Sequence, residues 1–305
     1  MKKSTIMLAV AGALSAAVVG AHFYANQQAE LVVQKQITQF AEQSELLIEH
    51  QGSSYNLFTN TIKVQSLEIK DAAEQQVLLN IGEFSLQGYE ADKISEFTEV
   101  KLANVTLSPV LAAELAPQAA TLAGASYALT SSLRYNPDSG NSQFKSSVDA
   151  DGVVGVEFNF DLGNSTELMT TSLEMQKQDS EMTLEQELQM QSKLISAIQS
   201  LQPQTLTFAI AGQPKLDALV TELLTNQGLS KEQFEQMLAM QLAQVPVSEE
   251  AKQGLSGFAA GLNALEVSVS LDEAMDFNAF SQQVQSLSAD PEALEKFLNL
   301  KITGS

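Results

Sequence analysis

From Val154 to Leu162 every second residue is apolar: Val154, Val156, Phe158, Phe160 and Leu162 alternate with Gly155, Glu157, Asn159 and Asp161. A period of two sends all five side chains to one side of a pleated strand, and that side has to be hidden from water. The pattern recurs along the first half of the chain. Ile62 and Val64 alternate with Lys63 and Gln65; Leu67 and Ile69 alternate with Glu68 and Lys70, one position out of phase. That slip predicts a bulge near Ser66. Leu79 and Ile81, Phe84 and Leu86, Val100 and Leu102, Val105 and Leu107 repeat the theme, as do Leu129, Leu133 and Tyr135, then Phe144 and Val148. Strands with one polar face predict an antiparallel sheet solvated on one side. Between them, Gly52 to Asn60 reads as a turn-rich passage, Asn136 to Asn141 as a turn, and Asp151-Gly152 as a hairpin signal.

After Asn164 the period changes. Leu184, Leu188, Ile195 and Ile198 keep helical spacing up to a stop before Pro203, and Leu206, Phe208 and Ile210 return to a strand. Residues 214–227 are an amphipathic helix closed by Gly228. Ser230 and Gln233 form a capping box, Ser248 opens a further helix, and Asp290-Pro291 sets a cap and a first-turn proline ahead of the last one. Leu265 to Leu271 and Leu300 with Ile302 read as strands, and Pro109 to Ala123 as an Ala-rich helix interrupted by Pro117. Strands first, then helices mixed with strands, argue for an α+β fold rather than a doubly wound one. The expected architecture is a curved antiparallel β-sheet with helices packed on one face, over residues 45–305, with a sub-boundary near 164–205.

Ahead of this domain, Ser4 to Ala25 carries no Asp, Glu, Lys or Arg, and Lys2 and Lys3 precede it. About 20 such residues suffice to cross a bilayer as a helix, and the leading lysines favour a cytoplasmic N-terminus. Residues 4–25 are therefore expected to be an N-terminal transmembrane helix. The competing reading is a signal segment cleaved near Ala21, after small residues such as Val19-Gly20-Ala21. Phe23 and Tyr24, suited to a membrane interface, favour retention. Residues 26–44 read as a juxtamembrane helix. Either way the bulk is delivered across the membrane, and without cysteine the segment is not a lipidation signal.

The absence of cysteine also excludes disulfides, thiol catalysis and iron–sulfur clusters. With 37 Asp+Glu against 16 Lys+Arg, a net charge of −21 opposes nucleic-acid binding. No phosphate loop or dinucleotide-binding glycine pattern occurs. The two histidines, His22 and His50, stand alone; Gly124-Ala125-Ser126-Tyr127-Ala128 lacks the last glycine of a nucleophile elbow. Asp149-Ala150-Asp151-Gly152 fits a hairpin turn better than a calcium loop. Met169, Met175, Met182 and Met190 fit packing better than a soft-metal site. No catalytic, cofactor-binding or metal residue is expected, so a cofactor is not expected either.

The anchor, the helix after it, and the segment from Tyr55-Asn56-Leu57-Phe58-Thr59-Asn60 through Ile69 resemble the inner-membrane-anchored periplasmic proteins of Gram-negative bacteria related to YdgA and, more distantly, AsmA. The stretches Asn226 to Gln233 and Asp290 to Leu300 are similar to the same group. The resemblance implies a location and a general fold and carries no catalytic residue. The expectation is a non-enzymatic periplasmic envelope protein with a binding or scaffolding role, anchored in the inner membrane, suited to a lipid or amphipathic ligand or to an envelope protein partner. A periplasmic hydrolase using a carboxylate pair, or an acidic protein-interaction module, are the alternatives.

Overall fold

A computed structural model describes residues 46–71, 73, 75–90, 93–177 and 183–305. The expected membrane segment 4–25 and juxtamembrane helix 26–44 lie outside these residues. Among the described residues no helix is long and apolar enough to cross a membrane.

The fold is α+β, built on one antiparallel sheet of eleven strands. These are β1 (Leu46–Glu49), β2 (Gly52–Asn56), β3 (Thr61–Asp71), β4 (Val77–Gln87), β5 (Phe97–Leu107), β6 (Tyr127–Asn136), β7 (Asn141–Ala150), β8 (Val154–Gly163), β9 (Gln202–Gly212), β10 (Ala264–Ser270) and β11 (Lys301–Gly304). From β3 to β11 spatial order follows chain order, while β1 and β2 both pair with β3. Such a meander is what antiparallel pairing of sequence neighbours produces. Gly52 to Asn56, expected as part of a turn, is instead strand β2. It has little strand propensity of its own and gains its conformation by pairing with β3 from Gly52↔Gln65 to Asn56↔Thr61.

Helices fill four of the connections. Helix α1 (Pro109–Ala123) joins β5 to β6; α2 (Thr166–Lys177) and α3 (Leu184–Ser200) join β8 to β9; α4 (Leu216–Asn226), α5 (Lys231–Gln244) and α6 (Glu249–Gly261) join β9 to β10; α7 (Phe277–Leu287) and α8 (Pro291–Phe297) join β10 to β11. Because the strands alternate in direction, these excursions leave from opposite ends of the sheet. α1 and α4–α6 gather at the end that holds Asp71, Leu107 and Gly212; α2, α3, α7 and α8 gather at the other. Residues 164–205 thus hold the α2–α3 excursion, and the strands on either side of it pair directly, from Val154↔Gly212 to Gly163↔Gln202.

Local chemistry explains the helix ends. Ser230 Oγ accepts from Gln233 N while the Gln233 side chain accepts from Ser230 N, closing the expected box. Ser248 and Asp290 cap α6 and α8 without the reciprocal bond, their side chains accepting from Ala251 N and Ala293 N. Pro117 interrupts α1: at Ala119, where φ is −157° and ψ 73°, the backbone leaves the helical region, so α1 is two helical pieces joined across a kink.

The core has two parts. The larger lies on β1 and β3–β5, where Val64, Ile69, Ile81, Leu86, Val100 and Leu102 are almost completely buried together with Leu111 of α1. The smaller seals the first helical end: Ala119, Leu216 and Leu219 pack with Ala150 and Val153, and Tyr127, Val154 and Phe258 lean on them. The polar face of the sheet carries cross-strand ion pairs such as Lys63–Glu83 at 2.8 Å and Lys145–Glu157 at 2.7 Å.

Candidate functional site

Strand pairing extends the apolar face over the second half of the sheet as three parallel rows. Leu129, Val148, Val156, Ile210 and Leu265 are successive partners across β6 to β10. One step along the strands, Ser131, Ser146, Phe158, Phe208, Val267 and Ile302 form the next row. Leu133, Phe144, Phe160, Leu206 and Val269 form the third. Aromatic rings mass at the centre: Phe144 and Phe158 have centroids 6.4 Å apart, and Phe158 and Phe160 6.3 Å.

This band is much less covered than its continuation on β3–β5. Val64 and Val100 are fully buried, whereas Phe144, Phe158, Phe160, Leu206 and Phe208 are only half-buried and Val148 is 40% exposed. Full burial of such a side chain is worth about 1.5–3 kcal/mol. The band has therefore not drawn all the stabilisation its composition allows, and an apolar partner laid on it would gain the remainder. The exception within the band is polar: Ser131 is 2% exposed, and its Oγ has no hydrogen-bond partner among the described residues. A buried hydroxyl left unpaired carries a cost, and at this exposure it is not presented to a molecule lying on the band.

The opposite face holds the carboxylates. Asp149, Glu157 and Glu266 line an open depression of about 560 Å³, floored by the small residues Gly155, Ala209, Ala211 and Ala264. Two of the three are engaged: Asp149 Oδ2 accepts from Gln213 Nε2 at 2.7 Å, and Glu157 pairs with Lys145. Nearby, Asp161 accepts from Gln143 Nε2 at 2.8 Å and from the Thr205 hydroxyl. Among the described residues no group of three or more His, Asp or Glu side chains is placed to hold a metal ion.

The isolated residues weighed in the sequence are not brought together. His50 directly follows β1 at one edge of the sheet, with Nδ1 buried and lacking a partner among the described residues. Ser126 precedes β6, where its carbonyl accepts from Asp151 N. β3, β4 and β5 lie between the two positions, roughly 15–20 Å at sheet spacing. Asp151-Gly152 is a hairpin, with Gly152 at φ +74° and its N–H donating to Gln213 Oε1. Met169 and Met190 are buried, Met175 is partly exposed, and Met182 and His22 lie outside the described residues.

Every strand that carries the band is legible in the sequence, but the band itself is not. Alternation is as clean in β3 as in β8, so nothing in the pattern distinguishes the covered half of the face from the open half. The one available signal was aromatic content: Phe144, Phe158, Phe160 and Phe208 concentrate on three neighbouring strands. The chain matches no protein-family model, and no curated protein matches it.

Proposed function

We propose that this chain is a non-enzymatic, membrane-anchored envelope protein of the YdgA-like and, more distantly, AsmA-like kind, which holds a lipid or amphipathic ligand against its sheet. In this reading residues 4–25 anchor it in the inner membrane of a Gram-negative bacterium, with the bulk on the periplasmic side. The observation that carries the ligand part is the half-covered band around Phe158 and Phe208. Helices at both ends of the sheet would bound it as the walls of a trough in a curved sheet. The depression on the opposite face supports a carboxylate-pair hydrolase less well, because Asp149 and Glu157 are already committed to Gln213 and Lys145.

The test compares the full chain with its Phe158→Glu variant. Lipid extraction of the purified protein should recover bound lipid, and a fluorescent fatty acid should bind saturably and be displaced by it. Phe158→Glu should weaken that binding about tenfold or more, since a carboxylate on the band must be desolvated by an apolar ligand. The anchor contributes equally to both proteins, so the difference reports the band alone. If no lipid is recovered and the two proteins bind the probe alike, the ligand reading fails.

A further inference from the structure

The turn between β2 and β3 projects two large apolar side chains into water: Leu57 is 76% exposed and Phe58 99%. Tyr55, 47% exposed, continues the surface on the adjoining strand. Scattered apolar residues on a surface need no explanation, but a contiguous protruding cluster does.

The turn is built to hold them there. Asn56 Oδ1 accepts from Phe58 N at 2.9 Å and from Thr59 N at 3.3 Å. Tyr55 OH donates to Asn60 Oδ1, and Asn60, at φ +46°, adopts a left-handed conformation that asparagine tolerates. The turn is tied to the next hairpin as well: Asn60 Nδ2 donates to Tyr89 O at 2.6 Å, and Gly88 N donates to Asn60 O at 2.9 Å. None of these bonds uses the side chains of Leu57 or Phe58, so the turn would form equally well with polar residues in both places.

Charge identifies the occupant. In a chain with 37 acidic and 16 basic residues, the stretch from Gln51 through Ile62 contains no Asp, Glu, Lys or Arg. The tip can therefore leave bulk water without desolvating an ion of its own; the charged side chains beside it on the sheet are paired as Lys63–Glu83 and Lys101–Glu99, and Ser54 and Thr59 are uncharged groups at its base. The shape is convex, two side chains on a narrow hairpin, which suits a fluid surface that can close around it. An aromatic and an aliphatic side chain over such a base match the polarity gradient of a bilayer interface.

We propose that Leu57 and Phe58 form a wedge that inserts into the interface of a lipid bilayer, a membrane contact separate from residues 4–25. β1 begins at Leu46 opposite Asp71, and the wedge follows Asn56 opposite Thr61, so the two lie toward opposite ends of β3. The inference does not rest on the ligand reading of the apolar band, and either can fail alone.

The chain has no tryptophan, so Phe58→Trp installs a single reporter at the wedge. The full-length variant is reconstituted into phosphatidylcholine vesicles, with acyl-brominated phosphatidylcholine supplied either in the host vesicles or in vesicles added afterwards. Emission shifted to the blue and quenched at least twofold in one of these arrangements is the expected result, and Leu57→Asn in the same background should reverse most of the quench. Water-like emission unquenched in both arrangements overturns the proposal. A blue shift that appears without lipid and grows with protein concentration also overturns it, by assigning the wedge to a second copy of the chain. Circular dichroism matching the parent protein shows that the reporter variant is folded, as exposed positions 57 and 58 lead one to expect.

Discussion

Gly82 on β4 and Asn104 on β5 approach so closely that a Cβ on Gly82 would stand 2.9 Å from the Asn104 Cβ. The contact belongs to a line crossing three strands. Ser66 on β3 is at φ +53° and Asn104 at φ +55°. Gln65↔Glu83 and Leu67↔Ile81 keep one register past Ser66, and Glu83↔Ala103 and Ile81↔Val105 keep one register past Asn104. The pleat therefore changes phase on neighbouring strands together, without slippage between them. The extra residue is absorbed between β5 and β6, where Leu102 pairs Leu129 and Val105 pairs Tyr127. The result is that Val64 and Leu67, three residues apart, are both buried. Gly82→Ala should force the strands apart at this line and destabilise the fold by about 1–3 kcal/mol, the usual range for overpacking. The shift of the urea midpoint measures it, and an Asn104→Gly second change should restore part of the loss.

Glu222 of α4 reaches α1, where its carboxylate accepts from the Thr121 hydroxyl at 2.7 Å and from Thr121 N at 3.1 Å. These hydrogen bonds, the hydroxyl first, hold the Glu222 carboxyl below the usual carboxylate range. A carboxylate depressed on folding adds stability above its unfolded pKa and loses it as pH falls through the folded value. Glu222→Gln should lower stability at neutral pH and make its decline with acid shallower. Denaturant midpoints of both proteins from pH 7 down to pH 3 should therefore converge at the acid end. Parallel curves would show that the carboxylate contributes nothing specific to its ionised form.

Helix α6 covers the exposed edge of the sheet. Its Gly254 lies so close to β11 that a Cβ there would be 2.4 Å from Ile302 O, and one on Gly257 would be 2.5 Å from Gly304 O. An uncovered edge strand offers unpaired backbone groups to other chains, and a helix laid over it is one way to prevent that. Gly254→Val should destabilise by about 3 kcal/mol, toward the upper end of overpacking costs, because the clash is with backbone. It should also raise the fraction of associated species in size-exclusion chromatography. A variant that is destabilised yet remains monomeric would assign Gly254 to packing alone.

Much of this architecture could be read from single residues. The capping box of Ser230 and Gln233 and the Asp290-Pro291 start of α8 are local signals with local causes, and each stands where the chemistry placed it. The bulge expected near Ser66 is not formed: β3 and β4 keep their register there, the pleat changes phase through the left-handed φ of Ser66, and the register shift falls between Ile69 and Lys70. β2 was not legible because Gly52-Ser53-Ser54-Tyr55-Asn56 becomes a strand only through its partner β3. Pro117 did mark the interruption of α1, which falls two residues later as a kink at non-helical Ala119. The uneven cover of the apolar face was out of reach for a different reason. It depends on where helices separated by 50 or more residues in the chain, such as α1 and α4, come to rest together.

That unevenness makes a prediction within one residue type. Leu102 on β5 and Leu206 on β9 both belong to the apolar face of interior strands, but Leu102 is 3% exposed and Leu206 is half-buried. Removing a fully buried leucine side chain leaves a cavity and costs about 2–5 kcal/mol. Leu102→Ala should fall in that range. Leu206→Ala forfeits less burial and leaves a notch open to solvent, so about 1 kcal/mol is expected, scaled from the same transfer free energies. Urea unfolding of the two variants provides the comparison. Equal costs would mean that the band around Leu206 is sealed as tightly as the core around Leu102, which would remove the surface on which a ligand is proposed to lie. Unequal costs that draw together when a fatty acid is added would show the opposite, because a molecule covering Leu206 makes its burial complete and its loss correspondingly more expensive.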